Sequence, residues 1–113
     1  MKIKKMNGFL KFITGGAIGI TLAPFGIYIR EDFITHKDII QHESIHWKQQ
    51  MEMLILPFYI WYLIEWFIRL FINVDVYRNI SFERESYENE DIPEYINNRK
   101  SYSWIKYLKL KDR

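Results

Sequence analysis

Residues 42–46 read His42-Glu43-Ser44-Ile45-His46, and they lie inside a run, residues 36–52, without glycine or proline. Ile39, His42, Ile45, His46 and Gln49 recur at spacings of three and four, which is the period of one helix face. Thr35 as N-cap and Asp38 three positions on form a variant of the capping box. The spacing therefore predicts a helix from about His36 to Glu52. His42 and His46, one turn apart, then project from the same side, so both imidazoles can reach one ion. Glu43 lies about 100° round the helix axis from His42. It can flank such an ion without ligating it.

On the N-terminal side, residues 9–13 and 17–22 are apolar and flank Gly15-Gly16, which reads as a hairpin. Phe25-Gly26-Ile27-Tyr28-Ile29-Arg30 reads as a further strand, with Pro24 at its start, where a missing N–H does least harm. Lys-rich residues 1–11 followed by uncharged residues 12–29 also fit the n- and h-regions of a signal peptide. The glycines and Pro24 within that run argue instead for short strands inside the fold. The expected class is α+β: a small N-terminal antiparallel sheet or hairpin packed on the His-Glu helix and two or three further helices, all in one domain over residues 1–113.

On the C-terminal side, residues 53–72 form the most hydrophobic stretch, interrupted by Pro57, Glu65 and Arg69. Pro57 is expected to start or kink this helix, and Glu65 and Arg69 are spaced to pair along it. Its bland reading is a core helix; the alternative is a helix resting on a membrane surface. Residues 73–80 read as a loop, a third helix runs from Ser81 to about Asp91, and the tail 97–113 interleaves basic and aromatic residues as a short amphipathic helix.

Bulk properties narrow the chemistry. The 113 residues are 49% hydrophobic and 18% aromatic, enough for a dense core or an apolar contact surface. A net charge of +2 is too balanced to make nucleic acid the main partner. The absence of cysteine removes thiol nucleophiles, disulfides and zinc ribbons. A metal would have to be held by His, Asp or Glu, and hydrolysis would need a water activated by that metal. Zinc with an open position brings the pKa of water to about 7, and a neighbouring carboxylate takes the proton and later delivers it to the leaving amine. Glu43 fits that role.

Two histidines leave a catalytic zinc one ligand short. The metzincin pattern needs a glycine and a histidine where this chain has Gln49 and Glu52, so it does not apply. The acidic helix that begins at Ser81 offers Glu83 and Glu85, about 200° apart, so only one can face a given ion. With Glu83 inward, Phe82, Ser86, Tyr87 and Glu90 lie near that face, and Arg84, Glu85, Glu88, Asn89 and Asp91 face water. That partition favours Glu83; Glu85 remains the ligand if the helix register differs. His36 reads as a surface or capping residue. Trp47, Trp61 and Trp66 read as core or interface aromatics, and Gln49 and Gln50 as helix surface, with one of them able to hydrogen-bond near the site.

Glu83-Arg84-Glu85-Ser86-Tyr87 resembles the Glu-x-x-Ala-Asp or Glu-x-x-Ala-Asn signature of the gluzincin metallopeptidases. Ser86 matches the small residue, and Tyr87 replaces the Asp or Asn that supports a ligating histidine. Over roughly residues 18–95 the chain is also similar to minigluzincin-like small bacterial and phage proteins with HExxH, a nearby Gln, a Pro-Phe step and an acidic Phe-Glu-x-Glu helix. The resemblance implies a zinc metallopeptidase with Zn²⁺ held by His42, His46 and Glu83. Glu43 is then the general base, a peptide or protein the substrate, and the strand at Phe25–Ile29 borders the cleft. The competing readings are a zinc-stapled non-catalytic module and a membrane-associated helical interaction protein. The location expected is cytoplasmic, with membrane association through residues 53–72 as the variant.

Overall fold

A computed structural model describes residues 2–15, 17–72 and 75–108. Gly16 of the expected hairpin turn, Asn73 and Val74 of the expected loop and residues 109–113 of the tail lie outside the described residues.

Three short strands form one sheet: β1 (Ile3–Lys5), β2 (Gly19–Leu22) and β3 (Gly26–Ile29), in the order β1-β3-β2. β2 and β3 make an antiparallel hairpin, with Ile20 opposite Tyr28, through a turn that holds a cis Ala23–Pro24 bond; the hairpin expected from the sequence is one step earlier, between residues 9–13 and 17–22. β1 adds in parallel to β3, with Lys4 opposite Tyr28, so the sheet is mixed. β3 is thus the central strand, and Ile27 and Ile29 are fully buried on it.

Residues 9–13, expected as a strand, belong instead to a short helix, α1 (Gly8–Ile13). Asn7 caps it: its side-chain oxygen accepts from the Leu10 N–H at 2.8 Å, which satisfies one of the free donors of the first turn. A 3₁₀ turn (Glu31–Phe33) leads to α2 (Lys37–Glu52). Here His36, not Thr35, is the N-cap; it does so without a side-chain hydrogen bond, and Asp38 accepts from the Ile39 N–H.

α2 cannot run on into the next helix. Pro57 has no N–H to give, and its ring would clash with the carbonyl four residues back. The chain turns through Leu54 and Ile55, both at positive φ (59° and 67°), and restarts as α3 (Leu56–Leu70) with Pro57 in its first turn. α2 and α3 are bent by 112°. No single described helix is long and apolar enough to cross a membrane.

α4 (Val76–Asn79) precedes α5 (Ser81–Asn89), and α6 (Tyr95–Asn98) and a 3₁₀ turn (Ser103–Tyr107) close the described chain. The core under α3 and α5 is aromatic: Phe58, Ile80, Phe82 and Trp104 are buried together, with Trp61 and Tyr62 packed against them. Phe82 packs between Phe58 (ring centroids 4.3 Å) and Trp104 (4.8 Å), both tilted against it. Burying a phenylalanine to this extent stabilises the fold by about 1.5–3 kcal/mol.

α5 departs from the expected two-sided helix. Arg84, Glu85 and Asn89, assigned above to the water face, are buried along with Glu83 and Ser86. α5 packs on α2 on one side and on the terminal 3₁₀ turn on the other, so its polar groups meet protein instead of water. Arg84 donates to the Tyr107 carbonyl, Asn89 Nδ2 to the Tyr107 hydroxyl at 3.1 Å, and Ser86 Oγ to the His42 carbonyl at 3.1 Å. A side chain as small as Ser86 lets α5 approach the backbone of α2 this closely.

Candidate metal centre

α2 supplies His42 and His46, and α5 crosses them to supply Glu83. One ligand atom from each lies within 4.8 Å of the other two, and all three residues are buried. Both Nε2 atoms aim at one carboxylate oxygen: Glu83 Oε1 is 3.3 Å from His42 Nε2 and 3.0 Å from His46 Nε2. Three donors converging on one point from two helices could hold a metal ion.

The other ring nitrogens are held as well. His42 Nδ1 lies 2.7 Å from Glu90 Oε1 at the end of α5. His46 Nδ1 lies 2.7 Å from Gln49 Oε1. The amide of Gln49 donates to the Phe82 carbonyl (3.1 Å) and to Glu85 Oε1 (2.9 Å), so its oxygen is left to accept. The proton of neutral His46 then sits on Nδ1, and its Nε2 lone pair points at the convergence point. A carboxylate or amide behind each imidazole is the usual support of a zinc ligand. Tyr87 makes a different contact, edge-on to the His42 ring at 4.6 Å, with the Arg78 guanidinium 4.0 Å over its face.

Electrostatics agree with this geometry. Burial works against the imidazolium of His46, but the Glu83 carboxylate outweighs it and raises the pKa from 6.5 to about 9. Burial likewise opposes ionisation of Glu83, yet His46 and His42 hold its carboxyl far below the usual range. His46 and Glu83 thus form a buried ion pair. Tyr62 donates its hydroxyl to Glu83 Oε2 at 3.1 Å; burial, then the Glu83 charge, keeps that phenol protonated.

Glu43 sits on the next face of α2. Thr21 Oγ1 on β2 lies 2.7 Å from Glu43 Oε1 and 2.9 Å from the Glu43 carbonyl, which fixes the carboxylate against the strand. Gly19 leaves room for it: a Cβ at that position would lie 3.3 Å from both Cγ and Oε2 of Glu43. Glu43, His46 and Glu83 all line one cleft of about 420 Å³, walled by Gly19 and Thr21 of β2, by Phe58, Tyr59 and Tyr62 of α3, and by Tyr77. β2 therefore borders the cleft, and β3, expected there, is one strand removed. Gln50, expected on the helix surface, is buried and bridges to that strand: its Nε2 donates to the Thr21 carbonyl and its Oε1 accepts from the Ala23 N–H, both at 2.9 Å.

Glu85 lies elsewhere. It is fully buried and bound by Arg99 through Nε and, at 3.1 Å, Nη2, by Tyr95 at 2.6 Å and by Gln49. Arg99 also grips Glu52 with two bonds of 3.0 Å. Two buried carboxylates around one guanidinium make a structural ion cluster beneath the metal centre. His36, exposed, packs edge-on against Phe33 at 5.1 Å, far from this chemistry in role.

Compared with family models, curated proteins and solved structures, the chain matches none.

Proposed function

We propose that this chain is a zinc-dependent metallopeptidase of the gluzincin type. The observation that carries the reading is the convergence of His42, His46 and Glu83 on one point, beside a cleft that His46, Glu83 and Glu43 all line. The donor set is two imidazoles and a carboxylate, each imidazole backed by an acceptor, and this suits zinc. Bound there, zinc would supply Lewis-acid activation of a water molecule.

The chain's own residues do the rest. Glu43, steadied by Thr21, accepts the proton of the attacking water and returns it to the leaving amine. Tyr62 fixes Glu83 in place. Tyr77, in the cleft wall, carries a phenol that burial and the Glu83 charge keep protonated, so it is a donor suited to the carbonyl oxygen as it gains charge. The outer edge of β2 receives the peptide. Strand alternation turns the amide groups of Gly19 and Thr21 away from β3, and because Gln50 already holds the Thr21 carbonyl, Gly19 is the main-chain partner left for an extended substrate.

A zinc staple without catalysis is the competing reading. It requires a fourth protein ligand and a site closed to solvent, whereas the cleft reaches His46, Glu83 and Glu43 together. Glu43→Gln separates the two. On the peptidase reading the variant binds zinc as the parent does and loses about 10²–10⁴-fold in kcat toward a peptide library. Full hydrolysis by zinc-loaded Glu43→Gln would sink the mechanism.

A further inference from the structure

α3 has its polarity reversed. Its only two charged residues, Glu65 and Arg69, are 4% and 2% exposed. Glu65 turns inward to cap α5, accepting from the Ser81 N–H at 2.8 Å and from the Ser81 hydroxyl, and it accepts from Trp61 Nε1 at 3.1 Å. Arg69 turns inward to donate to the Leu108 carbonyl at 3.1 Å. The outward surface is left to Leu56, Ile60, Leu63, Phe67, Ile68 and Phe71, with Leu63 at 66% and Phe71 at 76% exposure. Contact with the protein runs through Phe58, Trp61, Tyr62, Glu65 and Arg69, with Tyr59 at its edge, so about half the circumference of α3 is apolar and exposed. Helix α1 repeats the theme on a smaller scale, with Phe9 and Phe12 exposed on either side of Lys11.

We propose that α3, with the aromatic tip of α1, docks on the surface of an anionic lipid bilayer. Three observations favour that occupant over a protein. The apolar surface is broad and convex: a partner helix covers one stripe, whereas a fluid acyl phase can wet the whole arc. The N-terminal segment that includes α1 carries Lys2, Lys4, Lys5 and Lys11, of which Lys5 pairs with Glu31 at 3.6 Å, and residues 1–30 hold no acidic residue, which complements anionic headgroups. Trp66 stands half-exposed on α3, an amphipathic aromatic of the kind that sits at the level of headgroups. The geometry is a helix lying in the interface. Fifteen residues span roughly 22 Å, short of the roughly 30 Å hydrocarbon core. α2, the other half of the bent pair, is committed to the buried polar site. Because Phe58, Tyr59 and Tyr62 of α3 also wall the cleft, docking sets the mouth of the cleft at the bilayer surface.

This docking is independent of the metallopeptidase reading, and neither arm of its test uses hydrolysis. The full chain is sedimented with vesicles of phosphatidylcholine alone and of phosphatidylcholine with about one quarter phosphatidylglycerol. It is expected in the pellet, more strongly with the anionic vesicles, and that preference shrinks as salt rises. Leu63→Glu combined with Phe67→Glu lowers the partition coefficient by at least about tenfold with the melting temperature of the free chain unchanged, because both side chains are exposed. In the parent, brominated lipid quenches Trp66 emission, and Trp66→Phe removes the quenchable component. A parent chain that stays in the supernatant with both vesicle types overturns the proposal. So does a double variant that binds like the parent. So does a dimer that forms without lipid, dissolves in the double variant and persists unchanged when vesicles are added, which would make a second copy the occupant.

Discussion

Arg99→Met strands two buried carboxylates. Arg99, Glu52 and Glu85 have side chains 3%, 9% and 0% exposed, and the guanidinium makes two bonds to each acid. Removing one partner of a buried ion pair costs about 3–5 kcal/mol, because the remaining charge is left without compensation. A domain of this size holds only about 5–15 kcal/mol in total. At roughly 4 °C or more per kcal/mol, the variant should melt about 12–20 °C below the parent. The assay is thermal and urea unfolding with a chelator in both samples, so that metal binding does not enter. Adding Glu85→Gln to Arg99→Met restores part of the stability at neutral pH, and the double-mutant cycle gives a coupling of about 1–3 kcal/mol. A loss below about 1 kcal/mol for Arg99→Met, or strict additivity of the two changes, would refute the ion cluster and return Glu85 to the set of candidate ligands.

Gly19→Ala places a Cβ 3.3 Å from Glu43 Cγ and Oε2. It should leave zinc content at the parent level and lower kcat by about tenfold, from displacement of the base; unchanged kcat would dissociate Gly19 from Glu43. The metal-free chain should lose stability as pH rises. His46 has a folded pKa of about 9 against 6.5 unfolded, so its contribution is complete below pH 6.5 and gone once the pH has passed about 9. Melts in chelator across that window test the sign. Zinc affinity should run the other way, rising with pH as the His46 proton that competes with the metal is released.

The HExxH helix was legible because its signals are local: the histidine spacing, the absence of breakers and the length all lie within one stretch. The inward position of Glu83 was legible from helix geometry, since Phe82 and Ser86 share its side. The burial of Glu85 and Arg84 was not, because a local pattern assigns charged residues to water and their partners, Arg99 and Tyr107, lie fourteen and twenty-three residues away. Residues 9–13 misled for a different reason. Their apolar character suits strand or helix, and the deciding signal was Asn7, an N-cap residue just ahead of the run. β1 left no trace in the pattern because all three of its residues are exposed and two are lysine. Gln49 and Gln50 looked like helix surface. Only the crossing of α5 and the closeness of β2 turn one into the support of His46 and the other into the tie that holds the strand.

The most direct measurement is the zinc content of the purified, zinc-reconstituted chain and of its His42→Ala, Glu83→Gln and Glu85→Gln variants, by elemental analysis. The account predicts about one zinc per parent chain, little in His42→Ala and Glu83→Gln, and parent-level zinc in Glu85→Gln. A parent that takes up no zinc, or a site lost in Glu85→Gln and kept in Glu83→Gln, would contradict it.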